Sequence, residues 1–333
     1  MRKNFFTKLF IILLFCIIIL TILFTSNVQA TSTVVAPNIK SDETNLNFFE
    51  GIPVTNIENL ETEETLSMYD AKTGETTVIP IDSSPEISSI EGYIPFAFKR
   101  FSQLRSTNSK YSLISDTSGS YYTPICRIKW YVSSTEEGCG TGILVGKNLL
   151  LTNAHCVFNM NRNDTPHSNW AVYPGYMNHS SFKNLSAGWS RVYYPTNWFV
   201  SHAAEDDWCI CELGDSIGSV AGYFGLDVYS SSGLLKTTVN CYGYPVSVPV
   251  DGVETNTQGE LMFYTTGRIL SVADGWFDGN FTVSEGMSGG PIIEPSRPSR
   301  VVGLNRGFTS TAGIGTRITS TILNKVNELR GNS

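Results

Sequence analysis

The residues best suited to chemistry lie in the run 285–291, which reads Glu-Gly-Met-Ser-Gly-Gly-Pro. Glycines on both sides of a serine allow a sharp loop that exposes the hydroxyl of Ser288 as a nucleophile. The same loop can aim the backbone N–H groups of Gly286 and Ser288 at one point, where a carbonyl oxygen becomes negative during acyl transfer. These two groups are the candidate oxyanion hole. The alternative is a glycine-rich surface turn that happens to contain a serine.

A serine hydroxyl is a weak nucleophile and needs a neighbouring base. The chain has four histidines, and only His155 directly follows a buried-strand pattern, the apolar run 149–151. A histidine beside such a run is usually a core residue, but together with a serine motif it becomes the candidate general base. The remaining three, His167, His179 and His202, lie in polar, loop-like surroundings.

The third group of such a site is a buried carboxylate that holds the imidazole in one tautomer and stabilises its charged form. The acidic pair Asp206-Asp207 opens the apolar run 208–213, where a carboxylate can be partly buried. Asp207 directly adjoins this strand and is the candidate. We interpret Asp206 and Glu205 as residues of a solvated loop.

The chain order histidine, aspartate, serine is that of the chymotrypsin class and differs from the orders of subtilisin and the α/β-hydrolases. Three blocks carry a resemblance to the chymotrypsin-fold serine proteases, namely 152–156, 207–210 and 286–291. Among these proteases, the chain most resembles the secreted glutamyl endopeptidases of Gram-positive bacteria. The resemblance extends from about residue 112 to the C-terminus.

The elements that would position these residues are mainly strands. From residue 112 onward, short β-rich runs alternate with Gly, Pro and Asn clusters, which favours a sandwich or barrel. Examples of such runs are 127–132, 142–145, 237–242, 281–283 and 301–304. Helical spacing of apolar residues is found at the C-terminal end, at Ile318, Ile322, Val326 and Leu329.

The resemblance implies an all-β fold of two packed six-stranded antiparallel β-barrels, chymotrypsin-like, with a C-terminal helix. The first barrel would supply His155 and Asp207, and the second would supply Ser288. The reaction would be hydrolysis of peptide bonds through a Ser-His-Asp triad and an acyl-enzyme. A catalytically inactive binding module on the same fold is the alternative.

Three segments are predicted along the chain: a signal peptide over 1–30, a pro-region over 31–111 and a protease domain over 112–333. Basic residues, the apolar run 9–24 and the small residue Ala30 are typical of a secretory signal. We therefore expect a secreted protein. Because the apolar run is long for a signal peptide, a membrane-anchored quality-control protease is the alternative.

The predicted pro-region is acidic and contains neither cysteine nor tryptophan, so we do not expect it to bury a core of its own. Such a segment usually acts as an intramolecular inhibitor until it is cleaved, and a linker or small accessory domain is the alternative. The resemblance places the mature start near Ser112. Met287 replaces the aspartate that captures the new N-terminus in animal digestive proteases. Cleavage would therefore unblock the cleft or dock the new N-terminus near the pocket.

Six of the seven cysteines lie in the predicted protease domain. The resemblance implies a disulfide between Cys139 and Cys156, which bracket the strand that leads to His155. The other four are Cys126, Cys209, Cys211 and Cys241. Their three possible pairings stay open, and the two at 209 and 211 should share one face of a strand. Without a Cys-x-x-Cys motif or a nearby histidine pair, we predict no metal site.

The specificity pocket is where the resemblance weakens. Glutamyl endopeptidases typically carry a histidine in a Gly-Ile-His-like run after the serine, and this chain has Asn305 there. They often carry Thr or Ser where this chain has Val283. Arg306 could neutralise an acidic P1 side chain, since a guanidinium forks onto a carboxylate. The alternatives are a solvent-facing arginine, and a pocket that Val283 and Asn305 shape for a polar or apolar side chain. A trypsin-like preference is not supported, because Glu285 is the only acidic residue in the expected pocket walls.

Charge and composition limit the partners. The formal net charge is −7, and acidic residues outnumber basic ones within 112–333 as well, which disfavours nucleic acid. No phosphate loop or nucleotide-binding fingerprint occurs, so we expect no cofactor. The expected partners are a protein or peptide substrate and the chain's own pro-region, and we expect a monomer.

Overall fold

The computed structural model describes residues 65–81, 87–94, 110–119, 121–132, 136–160, 165–250 and 253–331, and the backbone of a short strand, Thr33–Val35. The chain divides into two compact units, Met1–Thr33 and Val34–Ser333. The second unit contains every strand and helix from β2 onward. The predicted signal peptide over 1–30 lies outside the described residues.

The strands, in chain order, are β1 Thr33–Val35, β2 Thr65–Asp70, β3 Thr76–Pro80, β4 Ser89–Ile90, β5 Tyr111–Leu113, β6 Ile125–Tyr131, β7 Glu136–Leu144, β8 Leu149–Thr152, β9 Phe158–Asn159, β10 Thr165–Pro166, β11 Ser168–Pro174, β12 Trp189–Pro195, β13 Cys209–Leu213, β14 Gly225–Asp227, β15 Thr238–Gly243, β16 Ser247–Val250, β17 Val253–Asn256, β18 Phe263–Val272, β19 Trp276–Gly279, β20 Pro291–Ile293, β21 Arg300–Phe308 and β22 Gly313–Arg317. The helices are α1 Trp198–Ser201, α2 Gly218–Ala221, α3 Ser231–Leu234 and α4 Ser320–Gly331, with 3-10 turns at Ala154–Cys156 and Phe182–Asn184.

A closed barrel of six strands forms the C-terminal half. Its hydrogen-bonded order is β15, β18, β19, β22, β21 and β20, and β20 pairs back to β15. Alternating apolar residues such as Val239, Cys241 and Ile292 face inward and pack with Phe277 and Phe281. The predicted second barrel is therefore present, and its β20 directly follows the Ser288 loop.

The N-terminal half is a sheet in the order β11, β6, β7, β8, β13, β12. A single bridge between Val172 and Ala187 joins its two ends. Its interior is filled by large apolar side chains such as Trp130, Phe158 and Trp198, together with the predicted same-face pair of cysteines on β13. The all-β, chymotrypsin-like prediction of two β-barrels is thus confirmed as a fold.

The C-terminal helix is confirmed. Helix α4 buries Ile322, Val326 and Leu329, and Ile318 is buried just before it. This helix has 12 residues, and none of the helices in the described ranges combines the length and apolar character that a membrane span requires. One predicted strand is wrong: residues 281–283 lie in no strand, because the carbonyl of Thr282 is bonded by the Thr265 hydroxyl instead of by a ladder.

Part of the predicted pro-region belongs to this architecture. Strands β2 and β3 form a hairpin, and β2 pairs with the outer edge of β12 over five residues. Strand β4 pairs with β14, and β5 pairs with β18. The described strands of this segment therefore extend the sheets of both halves.

Candidate active site

His155 lies where the first sheet ends and the chain turns. Strand β8 stops at Thr152, and the 3-10 turn Ala154–Cys156 follows. The imidazole Nδ1 lies 2.7 Å from Oδ2 of Asp207, and the backbone N–H of His155 donates to Oδ1 at 3.2 Å. His155 is 2% exposed and Asp207 is 1% exposed. The structure therefore brings the predicted base and the predicted carboxylate together in a buried pair.

Asp207 lies two residues before β13, and hydrogen bonds from three side chains hold it in place. Its backbone carbonyl accepts from the Asn153 side chain at 2.6 Å and from the Thr316 hydroxyl at 3.3 Å. Its Oδ2 also accepts from Nε of Arg306 at 3.1 Å. Both halves of the molecule thus hold the carboxylate in the orientation that faces His155.

The environment shifts the pKa of both groups. Burial alone would raise the pKa of Asp207, but His155 and Arg306 hold that pKa below its ordinary value. Burial alone would lower the pKa of His155, but the Asp207 carboxylate raises it above its ordinary value. The pair is therefore arranged to stabilise an imidazolium, which is what a base requires after it accepts a proton.

The loop that carries Ser288 depends on two glycines with positive φ. Gly286 has φ +88° and Gly289 has φ +80°. A Cβ would lie 2.3 Å from the Tyr244 carbonyl at the first position and 2.0 Å from Oγ1 of Thr152 at the second. Glycine is therefore required at both. Within the described part of the chain, the N–H groups of Gly286 and Ser288 donate to no backbone carbonyl, as an oxyanion hole requires.

Thr141 on β7 connects the first sheet to this loop. Its hydroxyl donates to the carbonyl of Gly286 at 2.7 Å and accepts from the N–H of Tyr244 at 3.0 Å. Its own N–H donates to the carbonyl of Ser288 at 2.8 Å. Thr141 is fully buried. Thr141 was not predicted as a site residue, since its signal in the sequence is a small polar residue in the run Gly-Thr-Gly.

The candidate nucleophile Ser288 and the candidate base His155 are not hydrogen-bonded to each other. The hydroxyl of Ser288 donates to the backbone carbonyl of Arg306 at 3.2 Å. Nε2 of His155 is buried and has no hydrogen-bond partner among the described residues. Ser288 is only 5% exposed. The Ser288 hydroxyl is therefore engaged by a backbone carbonyl instead of by the imidazole.

The three predicted pocket residues are all buried, and one of them has a different role. Val283 packs in the second-barrel core. Asn305 donates from its side chain to the Tyr242 carbonyl at 2.8 Å. Arg306 was predicted to meet a substrate carboxylate, but its guanidinium binds Asp207 and the carbonyl of His202. The structure does not support that substrate-binding role, because the charge is engaged inside the site.

The predicted disulfide between Cys139 and Cys156 is absent, since both cysteines are free. Successive residues of a strand point to opposite faces. The residue of β7 that faces Cys156 is Gly140, where a Cβ would lie 3.0 Å from the Cys156 sulfur. Cys139 points to the other face, with its thiol 3.7 Å from the Tyr244 carbonyl. The prediction was wrong by one residue in register. The other four cysteines of the described residues are also free and buried.

Comparison with known proteins agrees with this geometry. Residues 140–304 match the sequence model of the trypsin-like peptidase domain. The chain has the chymotrypsin fold and contains a trypsin-like peptidase domain. This span includes the candidate base, carboxylate and nucleophile, and it ends just before Asn305.

Solved structures of peptidases share this fold. A Glu endopeptidase in complex with MPD has a TM-score of 0.56 and 23% identity, covering 68% of this chain and 98% of that one. A thermostable serine protease, AL20, from an extremophilic microorganism has a TM-score of 0.53 and 14% identity, covering 64% and 99%. The protease Anisep from Arthrobacter nicotinovorans has a TM-score of 0.52 and 17% identity, covering 67% and 100%.

One curated relative is also similar. An extracellular metalloprotease of Bacillus subtilis (strain 168) is 22% identical over 232 residues, which cover 68% of this chain and 69% of the relative. The name of that relative implies a bound metal ion, so the metal-ligating side chains of this chain bear on the comparison. Among the described residues, no three His, Cys, Asp or Glu side chains are grouped so that they could hold a metal ion.

Proposed function

We propose that this chain is a secreted serine endopeptidase, made as a precursor, that hydrolyses peptide bonds through Ser288, His155 and Asp207. Ser288 attacks the peptide carbonyl, and His155 takes its proton and returns it to the leaving amine. Asp207 orients His155, and the N–H groups of Gly286 and Ser288 stabilise the oxyanion. The products of the first step are an acyl-enzyme and a free amine, and water then releases the acid.

One observation carries this proposal: the buried contact of 2.7 Å between Nδ1 of His155 and Oδ2 of Asp207. A carboxylate on Nδ1 leaves Nε2 as the nitrogen that takes a proton from a hydroxyl. The thiol of Cys156, the next residue, lies 3.5 Å from the carbonyl of Ser288. The base and the nucleophile loop are therefore neighbours, as acyl transfer requires.

We propose further that the precursor is latent and that its pro-region acts as an intramolecular inhibitor. Two features support this. The Ser288 hydroxyl is bonded to the Arg306 carbonyl. In addition, Tyr111, which directly precedes the expected mature start, is buried, and its hydroxyl is hydrogen-bonded to Ser284 in the nucleophile loop. Cleavage next to Tyr111 would release a contact with that loop and let Ser288 turn toward His155.

An acidic P1 preference is the specificity that the resemblance implies. That resemblance and the shared fold support the preference, and Arg306 does not contribute to it because its guanidinium binds Asp207. Val283 and Asn305 then remain as the candidate residues that shape the pocket from behind, since both are buried. A digest of a peptide library by the processed protein measures the preference directly. Cuts after Glu or Asp would support the acidic class, and cuts after other residues would contradict it while leaving the mechanism in place.

The decisive experiment compares the processed wild-type chain with Ser288→Ala that has been processed in the same way. We expect the wild type to be labelled by a fluorophosphonate and to cut peptides. In Ser288→Ala, labelling should be lost and the rate should fall by roughly 10⁴-fold to 10⁶-fold. A chelator should leave the wild-type activity intact.

A matched control is Ser296→Ala, which alters an exposed serine bonded to Glu294 and should keep both labelling and cleavage. Equal activity in wild type and Ser288→Ala would contradict the proposed nucleophile. Loss of activity on chelation without labelling would instead indicate a metal-dependent peptidase.

A further inference from the structure

Arg306 is a charged residue that the proposed mechanism does not yet use. Its side chain is 7% exposed, and its Nε lies 3.1 Å from Oδ2 of Asp207, the oxygen that also meets His155. Its Nη2 donates to the carbonyl of His202 at 2.9 Å. The guanidinium is therefore held between β21 and the loop that leads to Asp207.

We propose that Arg306 is a positioning residue which, by pairing with Asp207, fixes that carboxylate toward His155 and limits how strongly the carboxylate favours the protonated imidazole. The proposal rests on the proposed function, since it treats His155 as the general base. It assigns Arg306 an internal electrostatic role in place of substrate recognition.

The charge balance of the buried cluster supports this role. With His155 neutral, Asp207 and Arg306 carry opposite charges and the cluster has no net charge. Protonation of His155 then creates an excess buried positive charge, which a low dielectric disfavours. Without Arg306, the Asp207 carboxylate would be uncompensated, and protonation of His155 would neutralise it. The imidazole would then be protonated over a wider pH range and would be unavailable as a base.

The geometry gives Arg306 a second connection to the site. Its backbone carbonyl accepts from the Ser288 hydroxyl at 3.2 Å, while its side chain holds Asp207. The guanidinium is planar, with donors in fixed directions. Because Nε and the His155 ring meet the same carboxylate oxygen, the rotation of Asp207 is fixed in the orientation that serves His155.

Other titratable groups lie beside the pair formed by His155 and Asp207, and their charges also affect the protonation of His155. The thiol of Cys156 lies beside the imidazole, and Cys209 on β13 lies near Cys156 and Asp207. Burial raises the pKa of Cys209 well above its ordinary value, so it is uncharged at neutral pH. Burial lowers the pKa of His167 to about 4, so it is also neutral. Of the groups that raise the pKa of His155, the Asp207 carboxylate contributes first and Cys156 second, and Arg306 is paired with the first of them.

The first test does not require activity. In the Ser288→Ala protein, the low-field NMR resonance of the His155 Nδ1 proton is followed as a function of pH. With Arg306→Gln added, we expect the pKa of His155 to be higher by about 1 to 2. With Arg306→Lys added, the charge is kept and the pKa should stay closer to that of Ser288→Ala alone. An unchanged pKa in Arg306→Gln would overturn the proposal.

The matched control is Arg317→Gln. Arg317 is a partly buried arginine on the neighbouring β22, and it binds the carbonyls of Tyr229 and Ala273 without touching Asp207. We expect this change to leave the pKa of His155 in place. An equal rise in Arg317→Gln and Arg306→Gln would overturn the specific role of Arg306, because it would show a general effect of losing an arginine.

The second test measures kcat/KM against pH for the processed enzymes. Arg306→Gln should move the acidic limb of the profile to higher pH. At a fixed pH on that limb we expect kcat to fall at least tenfold while KM changes less, with recovery at higher pH. An unshifted profile would overturn the proposal. A wild type that cuts no peptide would contradict the proposed function instead, and the NMR result would still decide the role of Arg306.

Arg306→Gln could also prevent folding, because it leaves a buried carboxylate without its partner. The double variant Asp207→Asn/Arg306→Gln then decides, since it removes both charges together. We expect the double variant to recover folding, as judged by circular dichroism and gel filtration. Failure of both variants to fold, with Arg306→Lys also unfolded, would overturn the charge-pair explanation.

Discussion

At the scale of single residues, Thr141 connects the first barrel to the loop that carries Ser288, and its hydroxyl is the feature to remove. In Thr141→Val, the carbonyl of Gly286 and the N–H of Tyr244 lose their buried partner. Each unsatisfied group costs about 1–3 kcal/mol. We expect a lower free energy of unfolding, and a fall of tenfold or more in kcat because the oxyanion donors lose their alignment. Urea unfolding and steady-state kinetics measure the two effects.

The control for this prediction is Thr123→Val. Thr123 is equally buried, and its hydroxyl donates to the carbonyl of Ala221 at 2.5 Å, outside the catalytic loop. This change should reduce stability and leave kcat near the wild-type value. Equal losses of kcat in the two variants would show that Thr141 acts through general stability and not through the loop.

The three catalytic candidates could be predicted because each belongs to a short motif whose chemistry is readable. Thr141 and Arg306 could not, because their roles depend on a neighbour far along the chain. Arg306 in the sequence is a cation near a pocket, which suggests a substrate contact. Only the fold shows that its side chain turns to Asp207. Spatial pairing of this kind is invisible to spacing and composition.

At the scale of elements, the 3-10 turn that carries His155 packs against His167, the residue directly before β11. The His167 ring stacks on Trp130 with centroids 4.5 Å apart, and its Nε2 donates to the carbonyl of His155 at 3.3 Å. Burial lowers the pKa of His167 from 6.5 to about 4. A group whose pKa is depressed on folding stabilises the protein above its unfolded pKa and loses that contribution as pH falls. The affected window is therefore from about pH 6.5 down to about 4.

We expect His167→Phe to reduce the acid sensitivity of the fold in this window. The wild type should lose up to about 3 kcal/mol of unfolding free energy through His167 between those limits. Urea unfolding of the Ser288→Ala protein at a series of pH values measures the loss without autolysis. His179→Gln, a change at an exposed ring, is the control and should keep the wild-type slope. Identical slopes in all three proteins would contradict the prediction.

Strand parity explains the main error at the element scale. The resemblance implied that Cys139 is the residue of β7 that faces Cys156 and forms a disulfide with it. In the observed register the residue that faces Cys156 is Gly140. A shift of one residue exchanges the two faces of a strand. Apolar runs predict that β7 and β8 exist, but they do not give the face of each residue where both faces are buried. The register is set by contacts with β6, which lies earlier in the chain.

At the scale of the whole molecule, the two-barrel architecture was predictable because many short strands and an ordered set of motifs point to one fold. The structural role of residues 65–81 and 87–94 was not predictable. Their polar composition predicts a segment without a core, and strand addition needs no core, since it uses backbone hydrogen bonds. Here β2 pairs with β12, and Arg330 donates to the carbonyl of Glu91 at 2.6 Å. The segment therefore depends on the protease domain for its structure.

This arrangement predicts that a cut between 95 and 109 leaves the N-terminal segment attached. A site for a specific protease, inserted there in the Ser288→Ala protein, allows a clean cut. We expect both fragments to elute together in gel filtration and to separate only in denaturant. Leu66→Asp should release the segment, because Leu66 is buried on β2 beside Pro195. Val78→Asp on β3 is the control, since Val78 is 58% exposed, and its fragments should stay together. If the wild-type fragments separate without denaturant, the ladder between β2 and β12 does not hold the segment, and the pro-region leaves once the chain is cut.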